Sequence, residues 1–209
     1  MFEHAVDQRL LLLIDRFATE PYIADRFYIA GGTALALQLG HRESVDIDLF
    51  SGEPFDVERI AQTVTGMGGA VSSAERGTVH AIINEVRVSF LEYPYPLLET
   101  LLKFRSVNMA AISDIACMKA VAISQRGDKK DFYDMYEILK TVTPHELKKL
   151  YLQKYTAVRV NCYHTLKSFF YFDEANAQPD PISLNGTTWD EVKRFFTGYE
   201  PKLTRELLC

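Results

Sequence analysis

Asp46 and Asp48 are the residues of this chain best suited to do chemistry, and their spacing says which kind. Side chains alternate faces along a strand, so in Asp46-Ile47-Asp48-Leu49-Phe50 both carboxylates share one face while Ile47 and Leu49 turn to a core. Adjacent carboxylates repel unless a cation lies between them. Mg²⁺ favours one or two carboxylates, completed by water and substrate phosphates. Upstream, Gly31-Gly32-Thr33 joins a strand-like run, Phe27 to Ala30, to an apolar helix-like run, Thr33 to Leu39. A helix N-terminus presents free N–H groups and a positive dipole end to an anion, and glycine lets a phosphate approach the backbone closely. Taken singly, these are an acidic surface strand and a tight turn. Taken together, a phosphate cradle and a metal-binding pair converge on one ligand, a nucleoside triphosphate with Mg²⁺.

Cations follow at useful places. Arg42 lies in the loop after Gly40, beside the expected triphosphate, although most loop arginines are simply solvated. Lys119 and Arg126 are two helical turns apart and share a face of a largely apolar helix. Long cationic side chains usually snorkel to solvent; neutralising phosphate charge in a cleft is a stronger reason for these two. Asp131 is spaced from Asp128 as in a capping box, and Lys130 with Asp134 suits an i,i+4 ion pair.

The run Gly31-Gly-Thr-Ala-Leu-Ala-Leu, then Gly40-His-Arg-x-Ser-x-Asp-Ile-Asp-Leu-Phe, resembles the signature of the AbiEii/AbiGii toxin-type nucleotidyltransferases, within the DNA polymerase β-like superfamily. The segment from Asp114 through Lys119 to Arg126-Gly-Asp-Lys-Lys-Asp131-Phe-Tyr-Asp134 is similar to the family's second motif. The resemblance spans roughly Phe27 to the Trp189 segment. It implies transfer of a nucleoside monophosphate from a triphosphate to an acceptor hydroxyl. Asp46 and Asp48 would be catalytic metal ligands, Lys119 catalytic, and Asp131 a site acid. Gly31, Gly32, Thr33, Arg42 and Arg126 would surround the nucleotide. The resemblance also implies a toxin of a toxin–antitoxin or phage-defence system, with a separately encoded antitoxin and RNA, the tRNA 3′ end foremost, as acceptor. A small-molecule or protein acceptor, and a non-catalytic nucleotide-binding module, stay open. One departure bears on that choice. Superfamily members usually carry a third carboxylate on a later strand, and the aligned position here is Ser89, with Glu92 on the opposite face.

The elements that must position these groups read as α/β (α+β). A small mixed sheet would occupy residues 1–110, and a helical C-terminal lobe residues 111–209. A helix is expected over residues 4–18, after which Pro21 leads into the first strand. Asp56 should cap a helix to about Thr65, and strands are expected at Val71–Glu75, Val79–Ile83 and Val86–Leu91. Tyr93-Pro-Tyr-Pro should begin a connector. Beyond it come helices capped by Ser113, Asp128, Thr143 (with Pro144) and Thr188, one from about Thr156 to Tyr171, and an acidic loop from Asp173 to Pro181.

Composition sets outer limits. The chain has 209 residues, 47% apolar and 24% charged, enough for a sizeable core. No apolar run reaches the roughly 18 residues of a membrane span, and Cys117, Cys162 and Cys209 show neither disulfide-framework nor zinc spacing; a cytoplasmic protein is expected. The net charge of −5 excludes a dedicated duplex binder, so any nucleic-acid contact should be local.

Overall fold

The computed structural model describes residues 1–156 and 162–207. Among the described residues, seven strands form one mixed sheet: β1 (Tyr28–Ala30), β2 (Asp46–Ser51), β3 (Ala70–Glu75), β4 (Thr78–Ile83), β5 (Val86–Glu92), β6 (Leu102–Phe104) and β7 (Val107–Met109), in the order β3-β4-β5-β2-β1-β7-β6. β2 runs parallel to β5, and β1 antiparallel to β2. Among the described residues every later regular element is helical, as the sequence suggested.

Helices α1 (Gln8–Thr19), α2 (Pro21–Arg26), α3 (Gly31–Leu39) and α4 (Val57–Gly66) accompany the sheet. The apolar positions of α1, Leu10, Leu13, Ile14 and Phe17, are all buried. Phe17 packs edge-on against Phe90 of β5 at 6.1 Å, and Phe27 does so at 5.3 Å. Strand alternation sends Phe90 to this covered face and leaves Asp46, Asp48, Arg87, Ser89 and His80 on the other. Helices α5 (Ile112–Gln125), α6 (Lys129–Ile138), α7 (Pro144–Lys154), α8 (Cys162–Ser168), α9 (Asp173–Asn176) and α10 (Trp189–Leu207) complete the fold. Among the described residues, no helix is long and apolar enough to cross a membrane.

Several elements differ from the sequence reading. The first helix starts at Gln8 because Asp7 caps it, accepting from the Arg9 N–H. Pro21 opens α2 instead of a loop, its fixed φ and missing N–H suiting the first helical position. The expected connector holds the β6–β7 hairpin, with β7 parallel to β1. Ser113 lies inside α5, whose N-cap is Ala111, and α9 interrupts the acidic loop. Of the helix expected from Thr156 to Tyr171, residues 157–161 lie outside the described residues, as does Cys209. The Thr143 capping box forms in full, and Thr188 exchanges the same bonds with Glu191.

Candidate active site

One cleft of about 1140 Å³ lies between the uncovered sheet face and α5, lined by Gly31, Gly32, Thr33, Arg42, Asp46, Asp48, His80, Ser89, Lys119 and Arg126 among others. Asp46 and Asp48 project into it side by side from β2, as alternation required. The β2–β5 register sets Asp46 opposite Arg87 and Asp48 opposite Ser89. Arg87 Nε and Nη2 donate to the two Asp46 carboxylate oxygens at 2.8 and 3.2 Å. Register, not local spacing, brings this pair together. Arg87 is 70% exposed, so the bridge is a solvent-screened one.

The glycine turn is built around these groups. Gly31 has φ +68°, and a Cβ there would sit 3.1 Å from Asp48 Oδ2. A Cβ on Gly32 would meet Arg42 Nη2 at 2.6 Å. Thr33 is buried with its hydroxyl 2.8 Å from Ser44 Oγ and donated to the Asp46 carbonyl oxygen. That brace ties the start of α3 to the start of β2 and fixes the height of Asp46.

Across the cleft is a buried ionic network. Lys119 Nζ donates to Asp131 Oδ1 at 2.8 Å and pairs with Asp134 at 2.5 Å. Arg126 Nε donates to Asp131 Oδ2 at 2.8 Å and lies 3.2 Å from Asp128. Asp134, fully buried, also accepts from Arg42 Nε at 2.7 Å, Arg42 Nη2 at 2.8 Å and His41 Nε2 at 2.7 Å. Burial alone would raise the Asp134 pKa, but Arg42, Lys119 and the His41 hydrogen bond outweigh it and hold the group well below the ordinary carboxylate range. Asp131 is likewise lowered, burial being overcome by Lys119 and Arg126. Lys119 is raised: desolvation is outweighed by Asp134 and Asp131.

Each sequence candidate therefore lines the cleft or touches this network, with two changes of detail. Arg42 is not a solvated loop arginine; its guanidinium fork is turned onto Asp134. The Asp128–Asp131 capping box and the Lys130–Asp134 pair do not form, because both acids face α5 and the Arg42 loop. Asp134 and His41 are the residues sequence reasoning underweighted. The signal available was Asp131 and Asp134 sharing a helical face at i,i+3; the His41 and Arg42 partners, 93 and 92 residues distant, left none.

The residues fit a divalent cation. Asp46 and Asp48 are hard oxygen donors on one face, and the space beside Asp48 Oδ2 is kept open by the absent Cβ of Gly31. Among the described residues no group of three or more His, Cys, Asp or Glu is placed to hold a metal ion by itself.

Solved structures of low sequence identity share this fold. MenT4, a nucleotidyltransferase toxin from Mycobacterium tuberculosis, aligns with a TM-score of 0.57 at 16% identity over 94% of this chain and 85% of its own. ANT(2″)-Ia, solved in complex with adenylyl-2″-tobramycin, aligns at 0.55 and 16% identity over 72% of this chain and 99% of its own. An uncharacterized protein of Aquifex aeolicus is 37% identical over 185 residues, 83% of this chain and 86% of that protein. Residues 13–96 and 66–204 match the family described as nucleotidyl transferase AbiEii toxin, type IV TA system, and the chain belongs to that family. It is a nucleotidyltransferase.

Proposed function

We propose that this enzyme transfers a nucleoside monophosphate from a Mg²⁺-bound nucleoside triphosphate to an RNA hydroxyl, the tRNA 3′ end foremost, and that it is a toxin held in check by a separately encoded antitoxin. The observation that carries the reading is the convergence of the Gly31 turn, Asp46, Asp48, Lys119 and Arg126 on one cleft. Bound there by Asp46 and Asp48, Mg²⁺ would neutralise phosphate charge and orient the reacting oxygens. The Gly31-Gly32 turn seats the phosphates close to the backbone. Lys119 Nζ is held between the Asp131 and Asp134 carboxylates, which fixes its ammonium at the cleft wall. Arg126, half exposed, adds a second charge at the cleft wall. Prepositioned charges of this kind act on the transition state without reorganising.

A single small ligand fills about 300–1,000 Å³, so a cleft of about 1140 Å³ accommodates a nucleotide and part of an acceptor. Exposed Lys130 and the Asp46-paired Arg87 line the same cleft, alongside the acids Glu43, Asp128 and Asp180, and offer local contacts to an acceptor phosphate. The test incubates the protein with Mg²⁺, each α-labelled triphosphate, bulk tRNA and cell protein, beside Asp48→Ala. Label should enter tRNA and fall at least about 100-fold in the variant. Label on protein instead would replace the RNA acceptor. Binding of triphosphate without transfer to tRNA or protein would leave a small-molecule acceptor or a nucleotide-binding module.

A further inference from the structure

Ser89 lies where the sequence resemblance leads one to expect a third carboxylate, and its surroundings are more specific than an isolated serine. The sheet register aligns Asp48 of β2, Ser89 of β5 and His80 of β4 in one row, with all three side chains lining the cleft. His80 Nδ1 is 3.1 Å from Ser89 Oγ. The nearby Ser72 hydroxyl of β3 donates to the His80 carbonyl oxygen at 3.0 Å and not to the ring. A hydroxyl beside Asp48, backed by an imidazole, supplies what a carboxylate at that place would supply: somewhere for the acceptor's proton to go.

We propose that Ser89 and His80 form a proton relay for the attacking hydroxyl, an inference that rests on the transfer reaction proposed above. The acceptor oxygen bonds the α-phosphorus as its O–H bond breaks. That proton passes to Ser89 Oγ while the Ser89 proton passes to His80 Nδ1, giving an imidazolium. The bond from the α-phosphorus to the bridging oxygen breaks, and pyrophosphate leaves with the electron pair. The imidazolium returns its proton to solvent from the exposed rim of the cleft. Serine at position 89 is thereby reconciled with catalysis: the base is displaced by one strand.

The test uses the full chain with label transfer as readout and compares wild type, His80→Ala, Ser89→Ala, and His80→Ala combined with Ser89→Asp. General-base catalysis contributes on the order of 10²–10⁴-fold. Both single alanine variants should therefore lose at least about 100-fold in kcat, with the triphosphate KM and the melting temperature unchanged. The double variant, which restores a carboxylate beside Asp48, should regain most of that loss. A structural role for the pair would move KM or stability and would not be rescued by aspartate. An active wild type with His80→Ala within about threefold of it overturns the relay alone, as does a double variant no better than His80→Ala. A wild type that transfers to no acceptor overturns the relay together with the reading on which it rests.

Discussion

Gly31 is the residue on which the geometry of the carboxylates and of the phosphate turn meet. It adopts φ +68°, a left-handed conformation that costs an L-residue roughly 1–2 kcal/mol. A methyl group there would also stand 3.1 Å from Asp48 Oδ2, tighter than ordinary contact. Gly31→Ala should therefore lower stability by about 1 kcal/mol, seen as a shifted denaturation midpoint, and cut kcat/KM for the triphosphate by more than about tenfold, since roughly 1.4 kcal/mol of misplaced binding is a factor of ten. An alanine variant that turns over like wild type would show that the open space beside Asp48 is not used. Gly32 is restricted differently: its neighbour is the tip of Arg42, itself anchored to Asp134, so the limit comes from a long-range contact.

Among the elements, α6 depends on a segment far from it in sequence. Its N-cap residue, Asp128, makes no side-chain cap to the helix. Gln178 Oε1 instead accepts from the Lys129 N–H at 2.8 Å, while Gln178 Nε2 donates to Asp128 Oδ1 at 3.0 Å. Loss of a cap costs on the order of 1 kcal/mol, so Gln178→Ala should destabilise by about that much in urea titration. An unchanged midpoint would mean that water replaces the amide fully. This arrangement also shows where sequence reading stops. The β2, β4 and β5 strands were legible because apolar and polar residues alternate along them, and the Asp46–Asp48 pair because spacing alone puts both on one face. The β6–β7 hairpin was not: each strand has three residues, and the turn places Arg105 and Ser106 at φ 46° and 67° without a glycine or asparagine to mark it. The motif singled out Lys119 and Asp131, but that they hold each other follows only from how α5 packs on α6.

At the scale of the whole molecule, Asp134 joins the part of the chain that carries the sheet to the part that carries the helices. Its oxygens receive His41 and Arg42 from the α3–β2 loop and Lys119 from α5. Removing one partner from a buried ionic group leaves the others uncompensated, at a cost of about 3–5 kcal/mol. Asp134→Asn should lower stability at neutral pH by that order, and a loss under about 1 kcal/mol would contradict the network's structural weight. The pH dependence has a definite sign. The folded-state pKa of Asp134 lies well below that of the unfolded chain, so between the two values the unfolded state binds more protons and stability rises with pH. Its contribution is thus complete above the unfolded value of about 3.9 and is lost as pH falls through the folded one. Asp131 shifts the same way, so the slope should shrink in the variant without vanishing. Lys119 acts at the other end: its raised pKa keeps its contribution present below the ordinary lysine value and loses it as pH rises through the folded value. Denaturation midpoints from pH 2 to 7 should therefore fall steeply in the wild type below about pH 4 and less steeply in Asp134→Asn. Parallel curves would place the acid sensitivity in the exposed carboxylates and not in the bridge between sheet and helices.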